Sequence, residues 1–288
     1  MNNAVRCVQW FNHACPWNQH KHSLAKWAEK RVDQSAPPAV YEGIHGRMRM
    51  QLDLSDHFQR GMYLNAHEIV TVQIYRRLLE PGDVHVDAGA NIGILTLLAA
   101  HEVGPTGRVY AFEPHPVTLE GLRRNVELNQ MANVHIVAKG CWHEPGTATL
   151  HDFADGHCGE PSIANVYDKT LKSTFEIETT RIDDIVDGPV KLIKIDVEGA
   201  EHQALLGAER LFQGPAKPHI IIELNVRTCQ SLGYHPLEIV DYLMDRGPYR
   251  MHLIKSRRHQ PLTRDGLVCA FEAEPRKLRN VWFAPADD

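Results

Sequence analysis

The chain has 288 residues, 43% of them hydrophobic, with 31 Lys and Arg against 36 Asp and Glu and a formal net charge of −5. That is enough for one large α/β domain with something left over at an end, and it gives no global field for attracting phosphate backbones, so nucleic-acid binding finds no support. The six cysteines (Cys7, Cys15, Cys141, Cys158, Cys229, Cys269) include no C-x-x-C pair, no segment is long and apolar enough to cross a membrane, and the amino terminus lacks a signal-peptide hydrophobic region; the chain reads as cytoplasmic, with reduced thiols.

Residues 1 to about 53 show no clean periodicity. They hold Cys7, His13, Cys15, His20 and His22 among Trp10, Phe11, Trp17 and Trp27. The spacings match no common zinc template, so the aromatic residues are expected to pack on the main domain, cover a ligand mouth or pair with a second subunit. Ala36, Pro37 and Pro38 read as a linker, and Leu52 to Asp56 as a strand or turn. From His67 to Leu79, apolar residues recur at helical spacing until Pro81 stops them. Residues 1–66 are thus expected to form an extension and 67–288 the main domain.

Val84 to Asp87 reads as a short strand, followed by a glycine turn and a helix. Gly89 and Gly93 remove β-carbons that would keep a ligand off the backbone, while Asn91 can cap a helix whose Ile92, Leu95 and Ala99 share a face. A dinucleotide would lay its pyrophosphate here, and Asp87 would repel it. Asp87 suits an ammonium or sulfonium instead, which favours S-adenosylmethionine (SAM). Arg108 to Phe112 is a second strand, ending in Glu113 and Pro114 about 20 residues beyond the turn, where a carboxylate reaches the ribose diol of a bound nucleoside.

Pro116 starts a helix carrying Leu119, Leu122 and Val126 and closing at Asn129, and Val134 to Val137 is a third strand. Thr147 to His151 alternates as an extra strand. Asp152 to Thr170 is a long polar loop of the kind that forms lids or substrate contacts. Glu176 to Thr180 alternates again, and Val190 to Asp196 is a strong strand. A helix over 200–212, a buried strand from His219 to Glu223 and a helix from Leu237 to Arg246 follow. Met251 to Ile254 and Asn280 to Phe283 are the last two strands; with no helix expected between them, they should close the sheet antiparallel. The basic run from Lys255 to His259 reads as a solvated loop.

Asp196, Glu198, Glu201 and His202 stand where the strand order should reverse, over the ligand crevice. They are candidate acid, base or metal groups, although Glu201 and His202 also suit the first turn of a helix.

The motifs VHVDAGANIG (Val84 to Gly93), YAFEP (Tyr110 to Pro114) and IKIDVEGAE (Ile193 to Glu201) resemble the FkbM family of SAM-dependent methyltransferases, in order over roughly His67 to Phe283. The resemblance implies a Rossmann-like class I methyltransferase fold, a seven-stranded mostly parallel sheet with an antiparallel last strand, and methyl transfer to an oxygen of a sugar, polyketide or other small metabolite. It implies that Asp87, Gly89, Asn91 and Gly93 hold the methionine part and Glu113, with Pro114, the ribose. The acidic residue expected near the adenine just before Gly146 is replaced by Cys141 to Pro145, leaving Trp142 and His143 as neighbours of that end. For a hydroxyl acceptor the enzyme aligns it and removes its proton, a task for Asp196 with Glu198 or His202. A lesser alternative has Glu198, Glu201 and His202 holding a divalent cation, as in some methyltransferases of RNA ends. A dinucleotide dehydrogenase and a non-catalytic SAM-binding module are the other rivals; the missing G-x-G-x-x-G spacing opposes the first, and the retention of Asp196 and Glu198 the second. A homodimer also fits the aromatic amino-terminal stretch.

Overall fold

A computed structural model describes residues 3–15, 20–153, 161–163 and 170–287. Trp17, Cys158 and most of the polar loop after Asp152 lie outside these. The amino-terminal stretch is folded despite its lack of period. Helices α1 (Asn3–Ala14) and α2 (Lys21–Glu29) precede an antiparallel hairpin, β1 (Ala39–Ile44) and β2 (Met48–Leu52), and then α3 (His57–Tyr63). The pattern is hidden because α1 buries only Val5, Val8, Gln9 and Asn12, two of them polar. Those polar residues are used: Gln9 donates to Glu42 O at 3.2 Å and Asn12 to Leu64 O at 2.8 Å. β2 alternates cleanly, with Met48, Met50 and Leu52 buried. Of the three roles expected for the amino-terminal aromatics, packing on the main domain does not hold for Trp10 and Trp27, which are 68% and 42% exposed.

The next elements match their sequence signals: α4 (Ile69–Leu78), β3 (Val84–Ala88), α5 (Ile94–Val103), β4 (Arg108–Phe112), α6 (Pro116–Leu128) and β5 (Val134–Val137). α5 differs in one respect. Every residue from Ile94 to Ala100 is buried, not one face, because the extension covers the side that would otherwise meet water. A small separate sheet follows, ordered β6-β8-β7, from β6 (Gly140–Cys141), β7 (Gly146–Phe153) and β8 (Leu171–Thr180).

β9 (Leu192–Ile195) returns to the main sheet. The single helix expected over 200–212 is broken into α7 (Glu201–Leu206) and a 3-10 turn at Glu209–Phe212. A Cβ on Gly207, at the break, would stand 2.1 Å from Trp142 O, so the chain there runs against the Trp142 backbone. β10 (His219–Leu224), α8 (Val226–Ser231), α9 (Pro236–Met244), β11 (Tyr249–Ile254), β12 (His259–Leu262), α10 (Arg264–Ala273) and β13 (Arg279–Pro285) complete the chain. α10 corrects the expectation of no helix between the last strands: its Thr263 cap accepts from Gly266 N, but only Leu267 and Phe271 are buried, too few to mark a period. The basic run forms the β11–β12 turn, closed by Lys255 N to Arg258 O at 2.9 Å.

The main sheet has eight strands in the order β12-β11-β13-β10-β9-β3-β4-β5. The seven expected strands are present, with β13 antiparallel between β10 and β11, and β12 is an eighth added at the edge. β3 pairs in parallel with both β4 and β9, so the order reverses beside β3 and opens a crevice at the carboxyl ends of β3 and β9. Val86, Ala88, Ile193, Ile195, Ile220 and Ile222 are fully buried beneath it. Among the described residues no helix is long and apolar enough to cross a membrane.

Candidate active site

The turn after β3 is pinned to the neighbouring strand tips. Gly89 N and Ala90 N both donate to Phe112 O, at 3.0 and 2.9 Å, and Asp196 N donates to Ala88 O at 3.0 Å. Gly89 has φ +86°, and a Cβ there would lie 1.9 Å from Asp196 O, so this glycine lets the β3 and β9 tips meet. Gly93 also serves packing: its Cβ would lie 2.6 Å from Leu122 Cδ1, and it does not line the cavity. Asn91 is not the helix cap. It sits at φ +51°, accepts from Ile92 N at 2.7 Å, and leaves Gly93 in the cap position of α5.

A cavity of about 310 Å3 opens at the crevice, within the range of small-molecule sites. Asp87, Gly89, Asn91, Glu113, Pro114, Asp196 and Glu198 all line it. Glu113 is 7% exposed; its Oε2 accepts from Asn91 N at 2.8 Å, and its Oε1 from His115 N and Thr118 Oγ1 at 2.9 Å each. Burial raises its pKa, against the pull of those hydrogen bonds. Asp87 is 1% exposed and accepts from Thr96 Oγ1 at 2.6 Å; burial raises its pKa too, with Lys194 opposing.

Lys194 and Glu68 belong to the same cluster and went unmarked in the sequence reading. Lys194 Nζ lies 2.8 Å from Asp196 Oδ2 and 4.0 Å from Glu68 Oε1. Burial would lower its pKa, but Asp196, Glu68 and Asp87 outweigh this, so it stays a cation. Glu68, at φ +44°, is held at about 2 because Lys194 and His67 overcome the burial that opposes its charge. A lysine two residues before Asp196, inside an apolar strand run, was the signal for Lys194. Glu68 had none, since its place depends on the chain around it.

Adjoining this cluster, Asp196, Glu198 and Glu223 each offer an oxygen, all within 4.8 Å of one another. Burial raises the Glu223 pKa well above the usual range, and Asp196 and Glu198 add to it. Glu223 ends the strand expected over His219 to Glu223 but was given no role at the site, although a second carboxylate at the adjoining strand tip was its signal. The backbone holds the cluster in place: Glu198 is left-handed at φ +50°, and Ser162 Oγ donates to Glu198 O.

Glu201 and His202 are not brought into this group. Glu201 Oε1 folds back to accept from Val197 N at 3.2 Å and Gly199 N at 3.0 Å, bracing the loop; burial pushes its pKa up to about 7. His202 packs on the rings of Tyr234 and Tyr242, at 5.3 and 5.7 Å, and does not line the cavity. Helical geometry explains this, since the first turn of α7 turns His202 toward α9 once Glu201 is committed to the loop. The rings of Trp142 and His143 lie 5.8 Å apart and tilted at 41°, outside the lining, and Lys139, Gly140 and Cys141 line the cavity instead. Among the described residues the amino-terminal His and Cys form no cluster of metal-ligand geometry.

A family model, that of the methyltransferase FkbM domain, matches residues 87–251, more than half of the chain, a span that holds Asp87, the glycine turn, Glu113 and Asp196. The chain belongs to the FkbM methyltransferase family. Its curated relatives include Methyltransferase 1 of Beauveria bassiana, 31% identical over 146 residues, which are 43% of this chain and 57% of the relative. The methyltransferase sdnD of Sordaria araneosa is 28% identical over 56% of this chain and 72% of its own length, and the 31-O-demethyl-FK506 methyltransferase FkbM of Streptomyces tacrolimicus is 30% identical over 49% and 66%. The chain therefore spans less than two thirds of two of these three. A solved methyltransferase FkbM from Methylobacillus flagellatus covers 80% of this chain and 55% of its own at 21% identity, with a TM-score of 0.45.

SAM is the donor of this family, and the cavity fits it. Glu68 Oε2 lacks a hydrogen-bond partner, Glu68 and Asp87 present carboxylates suited to the cationic methionine end, and Glu113 stands at the β4 tip where a ribose would lie.

Proposed function

We propose that the chain transfers a methyl group from SAM to a hydroxyl oxygen of a small metabolite, such as a sugar, a polyketide or another natural product, in the cytoplasm. Asp196 carries this reading. It lines the cavity at the tip of β9, and Lys194 engages its Oδ2, which leaves Oδ1 to take the acceptor's proton. SAM supplies a methyl group on a sulfonium, already a good leaving group. Gly89, Asn91, Asp87 and Glu113 bind and orient the donor, and Asp196 removes the proton, with Glu198 beside it as the next candidate. The negative net charge and the carboxylates round the cavity favour an uncharged small acceptor over nucleic acid. A relative named for 31-O-demethyl-FK506 supports oxygen as the acceptor atom.

A second reading has one observation in its favour, the three oxygens of Asp196, Glu198 and Glu223 within 4.8 Å. A divalent cation held there would grip the acceptor oxygen and lower its pKa, replacing the set of Glu198, Glu201 and His202 expected from the sequence. The deciding experiment supplies labelled SAM with a panel of hydroxylated sugars and polyketides, with and without chelator. Labelled methyl ethers formed despite chelator support the first reading, and loss on chelation restored by Mg²⁺ the second. Label found only on nitrogen, carbon or RNA would sink the hydroxyl acceptor.

A further inference from the structure

Glu68 lies outside the part of the chain that the family model matches, yet it lines the cavity. It is the residue before α4, in the left-handed region at φ +44°, a conformation uncommon for a side chain of this size. It follows a segment that contributes Phe58, Met62 and His67 to the same cavity wall. His67 Nε2 approaches Glu68 Oε1 at 3.5 Å, and the two rings of Phe58 and His67 meet edge-on at 6.0 Å. Oε1 is thus occupied on the Lys194 and His67 side, and the Thr71 side chain also hydrogen-bonds this carboxylate. Oε2 is buried from water and accepts no hydrogen bond.

Such an oxygen is costly to leave unpaired, the more so on a charged group. The local charges are three carboxylates, Glu68, Asp87 and Asp196, against one lysine, Lys194. The ligand chemistry that corrects both deficits is a primary ammonium, a cation with three donors.

We infer that Glu68 Oε2 receives the α-ammonium of the donor's methionine moiety, so that the segment before α4 completes the donor site. The inference rests on the proposed function and deepens it, because it makes the segment ahead of the residues that the family model matches part of cofactor recognition. Asp87, whose Oδ2 is already engaged by Thr96, then acts mainly by its charge.

The test uses calorimetry on the full chain with S-adenosylhomocysteine and with its analogue in which hydrogen replaces the amino group. The wild type is expected to prefer the aminated ligand by at least about ten-fold, which is about 1.4 kcal/mol. Glu68→Gln should remove most of that preference while leaving affinity for the deaminated analogue within about two-fold, which also shows that the variant is folded. If Glu68→Gln does not fold, Glu68→Asp takes its place and is expected to lose part of the preference. Equal affinity of the wild type for both ligands overturns the inference, as does a preference that survives substitution. Failure of the wild type to bind either ligand would instead sink the proposed function.

Discussion

Lys194 Nζ donates a hydrogen bond to Asp196 Oδ2 at 2.8 Å, from a side chain that is 4% exposed in the middle of the sheet. Lys194 lies on β9 and Asp196 is the first residue beyond it, two positions on and so on the same side of the extended chain, and the cation also offsets Glu68 and Asp87. Lys194→Met should strand those carboxylates without a counter-charge and destabilise the fold by about 3–5 kcal/mol, read from urea unfolding. A loss under about 1 kcal/mol would show that the cluster tolerates its own repulsion.

Asp196→Asn keeps the shape of the side chain and removes the base. Turnover should fall by roughly 10² to 10⁴ while donor affinity stays within a few-fold. Steady-state kinetics beside donor calorimetry checks this; losses of both in equal proportion would move Asp196 into the donor site.

Glu113 ties together three donors, Asn91 N, His115 N and Thr118 Oγ1. Glu113→Ala should therefore weaken SAM binding by about 1–3 kcal/mol and also lower the unfolding midpoint. Glu113→Gln, which retains one acceptor oxygen, should recover part of both. Unchanged SAM affinity in both variants would remove the basis for a ribose contact.

Glu201 gives a pH signature. Its folded pKa, raised to about 7 by burial, exceeds the unfolded value of 4.5, so the fold binds this proton more tightly. The stabilisation is fully present below 4.5 and is lost as pH rises through 7, a swing of about 3 kcal/mol at most. Glu201→Gln should thus gain stability relative to wild type between pH 5 and pH 8. Parallel stability curves for the two proteins would refute the assignment.

Deleting residues 1–38 removes α1 and α2, which bury Val5, Val8, Ala25 and Ala28 and carry the Asn12 bond to Leu64 O. Val5 and Val8 alone are worth about 1.5–3 kcal/mol each. The truncated chain should melt lower and bind donor more weakly through the loosened α3 to α4 segment. Wild-type melting would mark α1 and α2 as a mere tail.

The motifs of the central domain were legible because each couples a short-range pattern to a strand tip. Alternation gave β3, β4 and β9, glycines gave the turn, and Asp87, Glu113 and Asp196 each end or nearly end a strand. The extension was not legible, since α1 buries polar residues whose partners, such as Leu64 O, lie 52 positions away. α10 and the Gly207 break were missed for a like reason: two buried residues do not make a period, and only the Trp142 backbone shows why the helix stops.

The sequence by itself determined the fold family and the order of its strands, because burial on both faces of a parallel sheet writes a local apolar code along each strand. Tertiary structure alone decided which charges meet. Glu68, Lys194, Asp196 and Glu223 come from positions 68 to 223 and converge only once β3, β9 and β10 align, while His202, one residue from Glu201, is carried away to Tyr234 and Tyr242. Electrostatic contacts depend on distance through space, and no local pattern records that distance.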